Sequence, residues 1–241
     1  MKRFLGILFL LIIAAAGVTV FFFFPGIPYY YKCTHDLKFT ENILTDIPSD
    51  LPPIEGGTSE YSSLGLKLTA WKDMEAQRTD DKNQALWENK DRTHVVSIYT
   101  ENIGGNFDFL DRTGISHEDL DRYCKKIKKS TPDGNLEFVR LIASLTMDDF
   151  DIHDFSNAAT FYKMMKIKND MYISDDYPVR IYTVDGVGYR GFLLIAQAPD
   201  ESLSVINIYP EKDKHVRYVV GTSVNSWDEV KFIADSIKLT E

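Results

Sequence analysis

The first pattern along the chain is a run with no polar interruption. Phe4 to Phe24 is 21 residues without a charge. As a helix rising about 1.5 Å per residue it reaches roughly 31 Å, the thickness of a bilayer's hydrocarbon core. Pro25 and Gly26 end it, and Tyr29, Tyr30 and Tyr31 follow where lipid headgroups favour amphipathic rings. Lys2 and Arg3 precede the run, and positive charge stays on the cytoplasmic side. The pattern predicts a single-pass signal-anchor in the cell membrane: a cytoplasmic tip at 1–3, a transmembrane helix at 4–24 and an extracytoplasmic C-terminal body. "AAAG", Ala14 to Gly17, resembles a cleavage site, so a cleaved signal peptide is the alternative. Cleavage there would leave "GVTVFFFF" as an apolar tail. Tyr30, Tyr31 and Lys32 before Cys33 are not the small residues that lipidation of that cysteine requires.

Residues 25–59 read as a juxtamembrane segment and linker. Pro48, Pro52, Pro53, Gly56 and Gly57 break any regular element, and an extended spacer there holds the body clear of the bilayer. From residue 60 to 241 the patterns are those of a folded domain. "YSSLGLKLTA" alternates Leu64, Leu66 and Leu68 with smaller or polar residues, the period of a half-buried strand. "QALWEN" and "HVVSIYTEN" follow as a hairpin. The period then becomes helical in "ISHEDLDRYCKKIKKS", "NLEFVRLIASLT" and "FSNAATFYKMMKIKND". Ser116 is placed at an N-cap with Asp119 three residues on, and Ile115 and Leu120 form a hydrophobic staple. Two strands are expected around Asp185-Gly186, then "SLSVINIYP" and "HVRYVVGTS". A final helix, "SWDEVKFIADSIKL", has Ser226 and Glu229 as its capping box. The expected class is α+β: a curved antiparallel sheet with packed helices and a helical insert, preceded by the membrane span.

Charge narrows the partners. The net charge is −9 and both cations of the tip lie before the span, so the body is acidic and repels phosphate backbones. No nucleic-acid partner is expected. The densest basic run, Arg122 to Lys129, sits where a helix ends and suits its dipole.

Candidate chemistry is sparse. Gly186, Gly188 and Gly191 spell a dinucleotide fingerprint, but a strand rather than a helix follows, so no cofactor is expected. "DDFDIHDF", Asp148 to Phe155, offers Asp149, Asp151 and His153 as metal ligands, but Asp154 stands where a calcium loop needs glycine. The plain reading is an acidic loop leading into a helix, with Asp154 or Ser156 as N-cap. His35, His94, His117, His153 and His215 show no metal-ligand spacing, and no catalytic motif is present. Cys33 and Cys124 are either free or bridged. Trp71 follows the first strand at a loop, where it either lines a groove as a partner contact or packs in the core.

"YSSLGLKLTAW", "ALWEN" with "VVSIYTEN", and the closing strands with Ile233 and Ile237 resemble uncharacterised bacterial secreted or membrane-anchored proteins. They also loosely resemble the PsbP-like α-β-α sandwich, over about residues 60–110 and 186–239; Ser116 to Asp170 is a long insert in that comparison. The resemblance implies a binding or assembly module and transfers no site residue. The expected function is a membrane-tethered, non-enzymatic domain that binds or stabilises another envelope protein. The alternatives are an envelope hydrolase using Asp and Glu, and a solute- or calcium-binding module.

Overall fold

The computed structural model describes residues 17–38, 41–103, 110, 113–173, 179–197, 202–213, 215–223 and 226–240. The chain is α+β. In order come α1 (Ile27–His35), β1 (Leu44–Asp46), β2 (Thr58–Ser63), β3 (Leu66–Trp71), β4 (Glu75–Gln77), β5 (Gln84–Glu88) and β6 (Val95–Asn102). Then follow α2 (His117–Lys126), α3 (Asn135–Ser144), a 3-10 turn at Met147–Asp149 and α4 (Phe155–Tyr172). The chain closes with β7 (Val179–Gly186), β8 (Tyr189–Gln197), β9 (Ser202–Pro210), β10 (Val216–Thr222), α5 (Trp227–Asp235) and β11 (Lys238–Leu239).

Eight strands form one open sheet, ordered β1-β7-β8-β9-β10-β6-β5-β4, and three form a second, β11-β3-β2. β1 runs parallel to β7, while the meander from β7 to β10 and the β10–β6–β5–β4 half are antiparallel. The large sheet is buried on both faces along its middle, which is why "GFLLIA" reads as an unbroken apolar run. Alternate residues serve different cores. Ile181 and Phe192 join Leu120, Phe138, Ile142, Phe161 and Met165 of the helices. Leu193, Ile195, Ile206 and Val220 meet Leu66 and Leu68 of the small sheet and Val230 and Ile233 of α5. The molecule is thus three layers: helices, large sheet, and small sheet with α5.

The caps form as their sequences specify. Ser116 and Ser226 accept from the N–H groups of Asp119 and Glu229, and Asp154 accepts from Asn157. Ile115 and Leu120 are both buried. Two turns lie elsewhere than expected. "YSSLGLKLTA" is a hairpin rather than one strand: Ser63 pairs with Leu66 across Leu64 (φ 56°) and Gly65 (φ 84°). Both central residues are left-handed, as a type I′ turn demands. The i, i+2 leucines run straight through the turn, so alternation hides it. The β7–β8 loop is Val187-Gly188, two residues beyond Asp185-Gly186, which remain paired in the ladder. Asp185 is held there by Arg140 and by the Gly191 N–H.

Two organisational expectations are corrected. Residues 25–59, over their described part, are not an extended spacer. α1 packs on α4, Cys33, Leu37 and Ile43 enter the helical core, β1 adds to the large sheet, and Ile54 enters the other core. The prolines break helices, as read, but the apolar residues between them are spent on tertiary contacts. The helical middle is likewise no peripheral insert; it supplies the layer over β1, β7 and β8. Among the described residues no helix is long and apolar enough to cross a membrane. Most of the expected span lies outside the described residues; its last part, 17–23, is helical.

Candidate functional site

Two features stand out: the seat of the N-terminal segment and a cavity at the start of α3. The seat is built by the acidic loop. Gly26 donates its N–H to the Ile152 carbonyl at 2.9 Å. A Cβ at Gly26 would lie 2.9 Å from Ile152 Cα, closer than a side chain tolerates, so the contact requires glycine. Nδ1 of His153 is 3.0 Å from the Phe23 carbonyl, and its ring lies 5.0 Å from that of Phe24. Tyr29 packs edge-on against Phe155 and tilts against Tyr162, while Tyr30 meets Phe150. The Lys32 ammonium stands 5.4 Å from both the Tyr29 and Tyr162 rings, a cation–π contact. Beyond the seat nothing among the described residues covers the apolar helix: Val18, Phe21, Phe22 and Phe23 are exposed, Phe22 to 78%.

The carboxylates of this loop are used locally. Asp149 accepts from the Thr146 N–H at 3.1 Å and pairs with Lys129 at 3.3 Å. Asp151 accepts from the His153 N–H at 3.0 Å and pairs with Lys126 at 3.1 Å. Burial pulls the Asp151 pKa up, but those partners leave it below the usual carboxylate value. Asp149, Asp151 and His153 therefore face different partners, and among the described residues no group of three His, Cys, Asp or Glu is placed to hold a metal ion.

The cavity, about 500 Å³, opens between the loop before α3, the first turn of α3 and the ends of β6 and β9. Leu136, Tyr209 and Pro210 make its apolar wall; Arg190, Glu137 and Glu211 supply charge. Arg190 pairs with Glu137 at 3.2 Å. Gly134 caps α3 without a side chain, leaving the first helical N–H groups at the cavity. Burial pushes the Tyr209 pKa up despite a hydrogen bond from Arg217, so the phenol stays protonated. Arg217 in turn pairs with Glu101. Sequence reasoning missed this cavity. Its one local signal is a helix beginning after "TPDG" with glycine at the N-cap.

Of the two places expected for Trp71, groove or core, the structure shows the core. Trp71 is the last residue of β3, only 2% exposed, with its ring stacked on His94 at 4.7 Å. Asp73 holds the other side of His94 at 2.9 Å, and that bond keeps the Asp73 carboxyl below its ordinary range. Cys33 and Cys124 are free and buried in the same core; burial pushes their thiols up to about 12 and about 11. The glycine triplet serves the hairpin: Gly188 takes the left-handed turn position (φ 79°), a Cβ at Gly191 would lie 2.2 Å from the Asn207 carbonyl oxygen, and one at Gly186 would strike the Tyr189 ring.

The chain matches no model of a known protein family, and no curated protein matches it. Among solved structures, a crystal structure from Bacteroides thetaiotaomicron VPI-5482 is similar at 8% identity and a TM-score of 0.30. The match covers 76% of this chain and 48% of that one, so this chain spans about half the length of its neighbour. That likeness carries no functional argument.

Proposed function

We propose that the chain is a membrane-held extracytoplasmic domain that binds or stabilises another envelope protein. The observation that carries this is the bare apolar helix at 17–23, continuous in sequence with the uncharged run from Phe4. Four exposed phenylalanines in water are costly, about 25 cal/mol for each Å² of apolar surface, whereas acyl chains solvate them. Lys2 and Arg3 set the N-terminus inside, which puts the body outside. The resemblance to PsbP-like binding modules is offered as part of the same reading. The test is fractionation with an alkaline wash, followed by external protease on spheroplasts. The body should stay with the washed membranes and be digested from outside; release by the wash would sink the proposal.

The cavity supports a second reading, a solute-binding module. Its apolar wall, paired charges and uncapped helix start are the usual lining of a small-molecule site. A melting-temperature screen against small solutes tests it. A ligand-induced rise that vanishes in Leu136→Trp, which fills the space, is expected; no rise with any solute counts against it.

A further inference from the structure

We propose that this domain sits directly on the lipid headgroups through α1, the Phe150–Phe155 loop and the start of α4, with no flexible tether between it and the bilayer. The inference rests on the anchor reading and adds a fixed height and orientation to it.

The chain has no slack where it would leave the bilayer. The apolar helix runs to residue 23. The very next residue, Phe24, lies against His153, and Gly26 is hydrogen-bonded to Ile152. A span leaving the hydrocarbon at Phe24 therefore delivers the body to the interface within one or two residues. The surroundings of the exit suit an interface. Ile27, Tyr30, Tyr31 and Phe155 are all exposed around the base of the helix, Phe155 to 50%. The two tyrosines, with polar tips, favour the headgroup layer over either water or hydrocarbon, and Ile27 and Phe155 favour its acyl side over water. Charge matters on this face too. Four aspartates from Asp148 to Asp154 are poor neighbours for lipid phosphates, yet Asp149 and Asp151 are neutralised by Lys129 and Lys126 and Asp154 caps α4, which leaves the exposed Asp148 as the main acidic group there. Lys32 adds a cation on the same face. Together these place the helical layer against the membrane. The small sheet, across the large sheet from the helices, then faces away from it.

The experiment uses the full chain in vesicles of phosphatidylethanolamine and phosphatidylglycerol. A nitroxide is placed on Phe155→Cys or, for reference, on Glu60→Cys, which is exposed on β2 in the far layer. Native Cys33 and Cys124 are buried and compete little for the label. Collision with a water-soluble nickel chelate should be several-fold lower at 155 than at 60. Gly26→Val cannot seat on Ile152. It should stay with the vesicles while collision at 155 rises to the value at 60, a melting curve confirming that the body is folded. Equal collision at both sites in the vesicle-bound, otherwise unaltered chain overturns the proposal but leaves the anchor standing. Continued protection at 155 in folded Gly26→Val also overturns it, since the seat would not be what orients the body. A chain that washes off the vesicles overturns the anchor reading and this one with it.

Discussion

The two cores on either side of the large sheet differ in what they tolerate. The core under α5 and the small sheet is closed by aliphatic residues, with Tyr189 and Tyr61 turning their hydroxyls to backbone carbonyls. The helical core holds both thiols, the buried Tyr123 and Tyr172, and beside it Lys168, whose ammonium donates to the Glu41 and Leu145 carbonyls. It is also the one entered by Cys33, Leu37 and Ile43 from the N-terminal segment. The sheet-side core thus closes a domain, whereas the helical core attaches a segment to it.

Large-to-small substitutions break this comparison most sharply. Phe161→Ala in the helical core should cost about 3–5 kcal/mol and expose Cys33 to maleimide in the native state. Leu193→Ala on the other face should cost about 2–5 kcal/mol in denaturant titrations while leaving Cys33 protected. Equal thiol exposure in both would mean that α1 is not a separable attachment.

Lys168→Met should cost about 1–3 kcal/mol, because the buried Leu145 carbonyl and the partly buried Glu41 carbonyl lose their donor. Gly191→Ala should cost a similar 1–3 kcal/mol by forcing β8 from β9, with no effect on the thiols. Thermal melts read both.

The smallest effect is on pH. Burial lowers the Lys168 pKa to about 8, against 10.5 for the free side chain. Above the folded value the unfolded chain binds the extra proton, so stability rises with pH from about 8. The thiols act oppositely. Their folded values of about 12 and about 11 exceed the ordinary 9.0, so their contribution is complete below 9 and lost above it. Denaturant midpoints should therefore climb between pH 8 and 9 and, with two thiols opposing one ammonium, fall beyond. In Lys168→Met the climb should vanish.

Much of the local structure in both layers was legible. Capping serines at 116 and 226 and the periods of α2 to α5 are local signals, and the structure honours them. So are the "SLSVINIYP" and "HVRYVVGTS" strands. What was not legible is long-range. Gly26 looks like a helix stop, and only its approach to Ile152 shows it as a docking point. The Asp148–Phe155 loop offers ligand types, but its carboxylates are spent on Lys126, Lys129 and a helix cap. A loop follows Trp71 and makes it look available, yet the stacked His94 is the residue just before β6, more than twenty positions away. The cavity is assembled from four separate segments and has no sequence signature beyond Gly134.

The proposed anchor requires that the N-terminal apolar run stay on the protein, with its outer end part of the fold. Intact-mass measurement of the chain recovered from alkaline-washed membranes tests this most directly. The account predicts a membrane-retained chain still carrying residues 1–16. A wash-soluble chain whose first residue is Gly17 would contradict it.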